Sequence, residues 1–194
     1  MKGRESGMPE EARWAAFFDP EAMLDRLMVG GQGGDDLLEF GCGYGTFTLP
    51  AARRTRGRIT ALDIEPEMVG LVGQRARRAG LENVRAEVRD FVERGTGVAD
   101  GSQGHAMAFN LLHIEDPLAL LREAHRILRP GGSLSVIHWR SDIETPRGPP
   151  LAIRPTPEQC ACWLAETGFE PVVHVDLAQA APYHFGVLAR RPAV

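Results

Sequence analysis

Cysteine is scarce in this chain. Three in 194 residues cannot make a disulfide framework, so a reduced, cytoplasmic setting is expected. No C-x-x-C and no H-E-x-x-H occurs, and Cys160 and Cys162 lie two apart on an expected helix, facing different sides. A metal site is therefore not expected. Basic charge is not in excess either. The formal net charge is −4, which offers no electrostatic footprint for nucleic acid. No apolar run approaches the ~18–20 residues of a membrane span. The start, Met1-Lys2-Gly3-Arg4-Glu5, is not followed by the apolar stretch of a secretory signal. No internal repeat is visible. With 43% apolar and 25% charged residues, the chain reads as an ordinary globular domain with a sizeable core.

Glycine, in contrast, is concentrated where it matters. Asp36-Leu37-Leu38-Glu39-Phe40 begins as a short apolar run and reads as a buried strand. Gly41, Gly43 and Gly45 follow, spaced by two, with Cys42 and Tyr44 between them. An amphipathic helix pattern then runs from Thr46 to about Arg56. Strand, glycine turn and helix let backbone N–H groups and a helix N-terminus approach a ligand closely. The spacing disfavours a dinucleotide. The G-x-G-x-x-G fingerprint would need a third glycine at position 46, which is Thr46.

The rest of the chain alternates strands and helices. Residues 1–12 are polar, Trp14, Phe17 and Phe18 form an aromatic cluster, and Asp19-Pro20 opens a helix over about 20–29. Gly30, Gly31, Gly33 and Gly34 break it. Arg58 to Leu62 reads as a second strand, ending at Asp63, 22 residues after Gly41. An acidic residue there can accept hydrogen bonds from the ribose of an adenosine ligand. Pro66 starts a helix with apolar positions 68, 72, 76 and 79, stopped by Gly80. A third strand covers Val84 to Val88, before Asp90, and a fourth covers His105 to Leu112. Asp116-Pro117 caps a helix to about Leu128, whose stripe of Leu118, Leu121, His125 and Leu128 is expected to face the sheet. Arg129-Pro130-Gly131-Gly132 turns the chain into a fifth strand, Ser133 to Trp139. Thr156 and Gln159 have capping-box spacing for a helix up to Thr167. Pro171 to Leu177 and Phe185 to Arg190 read as two final, antiparallel strands.

These motifs resemble the class I S-adenosylmethionine-dependent methyltransferases, in particular small bacterial enzymes of the type-11 kind. The frame E-x-G-x-G-x-G from Glu39 is similar to their first motif. Ala61 to Met68 is similar to the second, and the Leu-Arg-Pro-Gly-Gly turn is frequent among them. The resemblance covers roughly residues 35–139 and implies an α/β, Rossmann-like, doubly wound seven-stranded sheet of order 3-2-1-4-5-7-6, with strand 7 antiparallel. It implies S-adenosyl-L-methionine as cofactor and S-adenosyl-L-homocysteine as product. The implied cofactor residues are Glu39, Phe40, Gly41, Cys42, Gly43, Gly45, Asp63, Ile64, Met68, Asp90, Phe91, Asn110 and Leu111. Asp63 would hold the ribose, Asp90 the adenine amino group, and Phe91 would pack on the base. His105 stands where the family has an aspartate opening strand four. The Asp/Asn-Pro-Pro-aromatic motif of amino-methylating DNA enzymes is absent, as is the Pro-Cys nucleophile of the cytosine-C5 type.

The expected domain is single: an N-terminal helical segment (1–34), a cofactor core (35–139) and an acceptor side (140–194). Residues 140–157 hold five prolines and three arginines without periodicity and read as a stiff loop. Ligands bind beyond the carboxyl ends of parallel strands. The loop after strand four, the Pro/Arg loop and the turn Pro182-Tyr183-His184 should therefore meet there. His113, Tyr183 and His184 are the catalytic candidates on that face, with His138 a further possible base. Trp14, His138, Arg140 and Arg147 are the acceptor-binding candidates. Arg140, Arg147 and Arg154 could clamp an anionic acceptor. The expected partner is a small-molecule acceptor, with no nucleic acid and no membrane. Two other functions share the pattern: a non-catalytic nucleotide-binding scaffold and an NAD-dependent oxidoreductase.

Overall fold

The computed structural model describes residues 10–30 and 34–193. Residues 1–9 of the expected N-terminal segment, and Gly31 and Gly33 as helix breakers, lie outside the described residues. Among the described residues, seven strands form one sheet of order β3-β2-β1-β4-β5-β7-β6. They are β1 (Leu37–Phe40), β2 (Ile59–Asp63), β3 (Val84–Val88), β4 (Gln103–Phe109), β5 (Leu128–Trp139), β6 (Val172–Val175) and β7 (His184–Arg190). β1 to β5 pair parallel, Leu37 standing opposite both Ile59 and His105. β7 runs antiparallel to both β5 and β6. The order and the reversed seventh strand are those the resemblance implied.

Among the described residues, seven α-helices surround the sheet: α1 (Glu11–Ala15), α2 (Pro20–Arg26), α3 (Thr48–Arg54), α4 (Pro66–Arg78), α5 (Phe91–Arg94), α6 (Pro117–Ile127) and α7 (Pro157–Glu166). Their starts follow from the sequence. Asp19 and Asp116 accept from the third residue beyond them, with proline in first position. Thr156 and Gln159 form the reciprocal capping box. Gly80 takes φ +66° after α4, a conformation that favours glycine.

Parallel strands are buried on both faces, so successive residues feed two cores. Leu37, Met107, Phe109, Ile137 and Trp139 point to one, beside Met23, Leu24 and Phe47. Leu38, Phe40, Ala106, Ala108, Leu134 and Val136 point to the other, beside α6 and α7. Each fully buried leucine or phenylalanine contributes roughly 1.5–3 kcal/mol.

Some local expectations are corrected. Of the expected stripe, Leu121 and Leu128 are buried but Leu118 and His125 only partly so, and Leu120, Ala124 and Ile127 complete the buried face of α6. His125 instead stands edge-on to Phe169 at 5.2 Å. The apolar stripe of α4 narrows to Val72 and Ala76, and Ala79 is exposed. Helix α3 starts at Thr48 because the glycine loop runs on to Phe47, and α2 ends at Arg26. Strand β4 stops at Phe109, since Asn110 takes φ +59° and leaves the extended region. His184 belongs to β7 and not to the preceding turn.

Candidate functional site: the carboxyl edge of the sheet

The loop after β1 holds its three glycines at positive φ: +70° at Gly41, +48° at Gly43 and +77° at Gly45. Space is tight at two of them as well. A Cβ at Gly41 would lie 3.3 Å from Leu111, and one at Gly45 would lie 3.0 Å from Val72. Asp63 ties this loop to β2. Its Oδ2 accepts from the Gly43 N–H at 2.8 Å and its Oδ1 from the Glu65 N–H at 3.0 Å. A carboxylate has about four acceptor positions, so Asp63 retains capacity for a ligand hydroxyl. Ile64 and Met68, on the approach to α4 and in its first turn, are partly buried.

Glu39 sits two residues before the loop and is 2% exposed. It accepts a hydrogen bond from the Thr48 hydroxyl, which joins β1 to the first turn of α3. Burial pushes its carboxyl up to about 8, against the pull of the Thr48 hydrogen bond. Cys42 is also buried, and desolvation moves its thiol upward, away from thiolate chemistry. Asp90 caps α5 by accepting from the Glu93 N–H at 3.2 Å. Phe91 packs edge-on against Phe40 at 5.3 Å. Beyond β4, the side-chain amide of Asn110 is buried with neither atom paired. Orphaned buried amides are rare and costly, about 1–3 kcal/mol. Together with three glycines at positive φ, where a side chain would be strained, the unpaired amide makes this edge fit a polar ligand.

The three acceptor-side elements do meet. The Arg140 N–H donates to the Tyr183 carbonyl at 2.9 Å, and Asn110 N–H to Ile137 at 2.7 Å. His113 Nδ1 lies 3.1 Å from His138 Nε2, and His138 Nδ1 lies 3.1 Å from the Trp139 carbonyl. Burial lowers His138 to about 3 and lowers His113 as well, the Arg154 charge adding to the effect on both. Tyr183 and His184 do not join this pair. They pack with the first core: His184 is 4.1 Å from the Trp139 ring and 4.8 Å from Phe18, and Tyr183 is 6.1 Å from Phe17. Both ring nitrogens of His184 are buried and unpaired, and burial lowers it to about 3.

The arginines separate by role. Arg140 pairs with Asp142, at 2.6 and 2.9 Å, and Arg147 is exposed. Arg154 is folded inward. It donates to the carbonyls of Pro149, Arg140 and Arg147 and sits 5.9 Å from the Trp139 ring centroid. All three contacts hold the proline-rich segment in shape.

Two contacts to the glycine loop, from Arg75 and from Trp14, escaped the sequence reading. Arg75 on α4 grips Glu11 of α1 with two hydrogen bonds, at 2.5 and 2.7 Å, and donates to the Tyr44 carbonyl at 3.0 Å. The Trp14 indole donates to the Thr46 hydroxyl at 3.1 Å. The N-terminal segment is thereby fastened to the glycine loop. Glu11 and Arg75 are 64 residues apart, and no local pattern announces such a pairing. Thr48, the partner of Glu39, was equally silent.

Comparison with known proteins agrees with this geometry. The sequence profile of the family described as "Methyltransferase domain" matches residues 37–132. The chain is 36% identical over 107 residues to a ubiquinone biosynthesis O-methyltransferase of Xanthomonas oryzae, covering 52% of this chain. The chain spans 41% of the length of that relative. A crystal structure of an S-adenosylmethionine-dependent methyltransferase from Aquifex aeolicus superimposes with a TM-score of 0.78 at 25% identity, over 94% of each chain. The [4+2]-cyclase SpnF shares the fold with a TM-score of 0.72 at 22% identity, over 100% of this chain and 86% of its own. Residues 37–132 thus match the methyltransferase-domain family, and the chain as a whole has the fold of the S-adenosylmethionine-dependent methyltransferases.

Proposed function

We propose that this protein binds S-adenosylmethionine and transfers its methyl group to a small-molecule acceptor by in-line displacement. The observation that carries the reading is the glycine loop closed on Asp63, beside the unpaired Asn110 amide. The cofactor supplies an activated methyl group on a sulfonium, so the protein's task is to bind, orient and keep out water.

In this reading, Gly41, Cys42, Gly43 and Gly45 give backbone close enough to meet the donor. Asp63 takes the ribose hydroxyls, and Asp90 the adenine amino group, with Phe91, Ile64 and Met68 packing around the base. Asn110 and Leu111 line the methionine end, where the Asn110 amide gains its missing partners. Glu39 supports the loop from inside the core through Thr48. Phe40 supports it from the same strand. On the acceptor side, His113, backed by the buried His138, forms the polar wall, while Tyr183 and Trp14, backed by the buried His184, contribute an aromatic one. Arg140 and Arg147 stand at the mouth, within a segment that Arg154 holds in shape.

A second reading keeps the donor site without methyl transfer. It is favoured by the likeness of fold to a protein named a cyclase. Incubation with methyl-labelled S-adenosylmethionine and a broad panel of small acceptors separates the two. Label in an acceptor supports methyl transfer. Binding of the cofactor with no acceptor labelled favours the second reading.

A further inference from the structure

Neither ring of the His113–His138 pair can be assigned its protons alone, but the pair together can. A backbone carbonyl only accepts hydrogen bonds. His138 Nδ1, 3.1 Å from the Trp139 carbonyl, therefore carries a proton. A neutral imidazole has one N–H, so His138 Nε2 is an acceptor. Its partner is His113 Nδ1 at 3.1 Å, which must then be the donor. That leaves the lone pair of His113 on Nε2, an atom with no partner among the described residues.

We propose that His138 is a positioning residue that fixes His113 in its Nδ1–H tautomer, so that His113 Nε2 takes a proton from the acceptor's nucleophilic atom. The proposal deepens the methyl-transfer reading and rests on it for the chemistry, though not for the tautomers. Access separates the two rings. His138 is 0% exposed, whereas His113 is partly exposed in the loop after β4. Only the outer ring is within reach of a small molecule. The neutrality the relay requires has a physical cause. Burial lowers both imidazoles and Arg154, from the segment before α7, adds positive charge; on His138 these outweigh the Trp139 carbonyl bond, which favours the charged ring, and the neighbouring His184 on β7 is itself held neutral by burial.

The chemistry served is transfer to an atom that arrives protonated, a hydroxyl in the simplest case. The hydroxyl oxygen gives a lone pair to the methyl carbon. The carbon–sulfur bonding pair goes to sulfur, and the O–H pair stays on oxygen. The proton moves to His113 Nε2, leaving an imidazolium stabilised through Nδ1–H by His138. A methyl ether, a neutral thioether and one proton result, so charge balances.

The test is nitrogen-15 NMR of the histidine side chains in the full chain without ligand. The expected pattern is Nδ1 protonated and Nε2 unprotonated, far downfield, for both His113 and His138. In His138→Phe, which removes the acceptor, His113 loses that pattern and shifts toward the Nε2–H form. His138→Gln, whose amide oxygen can accept from Nδ1, restores it. Diethyl pyrocarbonate, which acylates reachable unprotonated imidazoles, modifies His113 and spares His138. Wild-type His113 protonated on Nε2, or unreactive to the reagent, overturns the proposal, and this holds even where His138→Phe fails to fold. Calorimetry with S-adenosylhomocysteine, run in parallel, tests the donor site separately, so the two readings fail independently.

Discussion

The main-chain N–H of Gly43 donates to Oδ2 of Asp63 at 2.8 Å, which locks the glycine loop to the end of β2. Asp63 therefore has two duties: it shapes the loop, and it remains free to accept further hydrogen bonds. Asp63→Ala is expected to weaken S-adenosylhomocysteine binding by about 1–3 kcal/mol, a charged hydrogen-bond loss. It is also expected to lower the melting temperature, because the N–H groups of Gly43 and Glu65 both lose their acceptor. Calorimetry with thermal denaturation of the same preparation checks both. Unchanged affinity in a folded variant would refute the ligand role and leave only the loop role.

Glu39 gives an alkaline signature. Burial raises its folded pKa to about 8 from the ordinary carboxyl value of 4.5. A raised carboxyl contributes stability that is present below the unfolded value and lost as pH rises through the folded one. Wild type should lose about 1 kcal/mol between pH 7 and pH 9 on this account. Glu39→Gln, neutral throughout, should lack that loss while staying near wild-type stability at pH 7. Thr48→Val, which deprives the buried carboxyl of its donor, should cost about 1–3 kcal/mol. Urea unfolding of the three proteins at both pH values reads these differences.

Three buried imidazoles give the acid counterpart. Burial lowers His105 to about 4, and His138 and His184 to about 3. His105 sits between the hydroxyls of Ser133 and Ser135, at 2.7 and 2.9 Å. A depressed histidine contributes stability that is present above its unfolded value of 6.5 and lost as pH falls below it. The Glu39 effect opposes this, because that carboxyl binds its proton more tightly when folded. The net loss expected from pH 6.5 to pH 5 is roughly 2–4 kcal/mol, measured by urea unfolding. A flat profile over that range would show that these rings are not held neutral.

The sheet order was legible because its signals are local. The glycine spacing, the Leu-Arg-Pro-Gly-Gly stretch that opens β5, the caps at Asp19 and Asp116 and the capping box at Thr156 each act within a few residues. Helix faces were less legible. On α6 the stripe through Leu118 and the one through Leu120 and Ala124 are both apolar, and only the packing of α7 and the sheet selects between them. At the site, the glycines, Asp63 and Asn110 stood out by position. The pairing of His113 with His138 did not, since it joins a loop and a strand 25 residues apart. Arg154 misled for a related reason. A guanidinium in a proline-rich loop looks solvated or ligand-binding, but here the unpaired carbonyls of that loop claim its donors.

Calorimetric titration of the full chain with S-adenosylhomocysteine, and separately with NAD, tests the central claim most directly. The expected result is saturable single-site binding of S-adenosylhomocysteine and no measurable heat from NAD, since Thr46 stands where a dinucleotide loop needs glycine. Binding of NAD alone, or no binding of S-adenosylhomocysteine by the folded protein, would contradict the account.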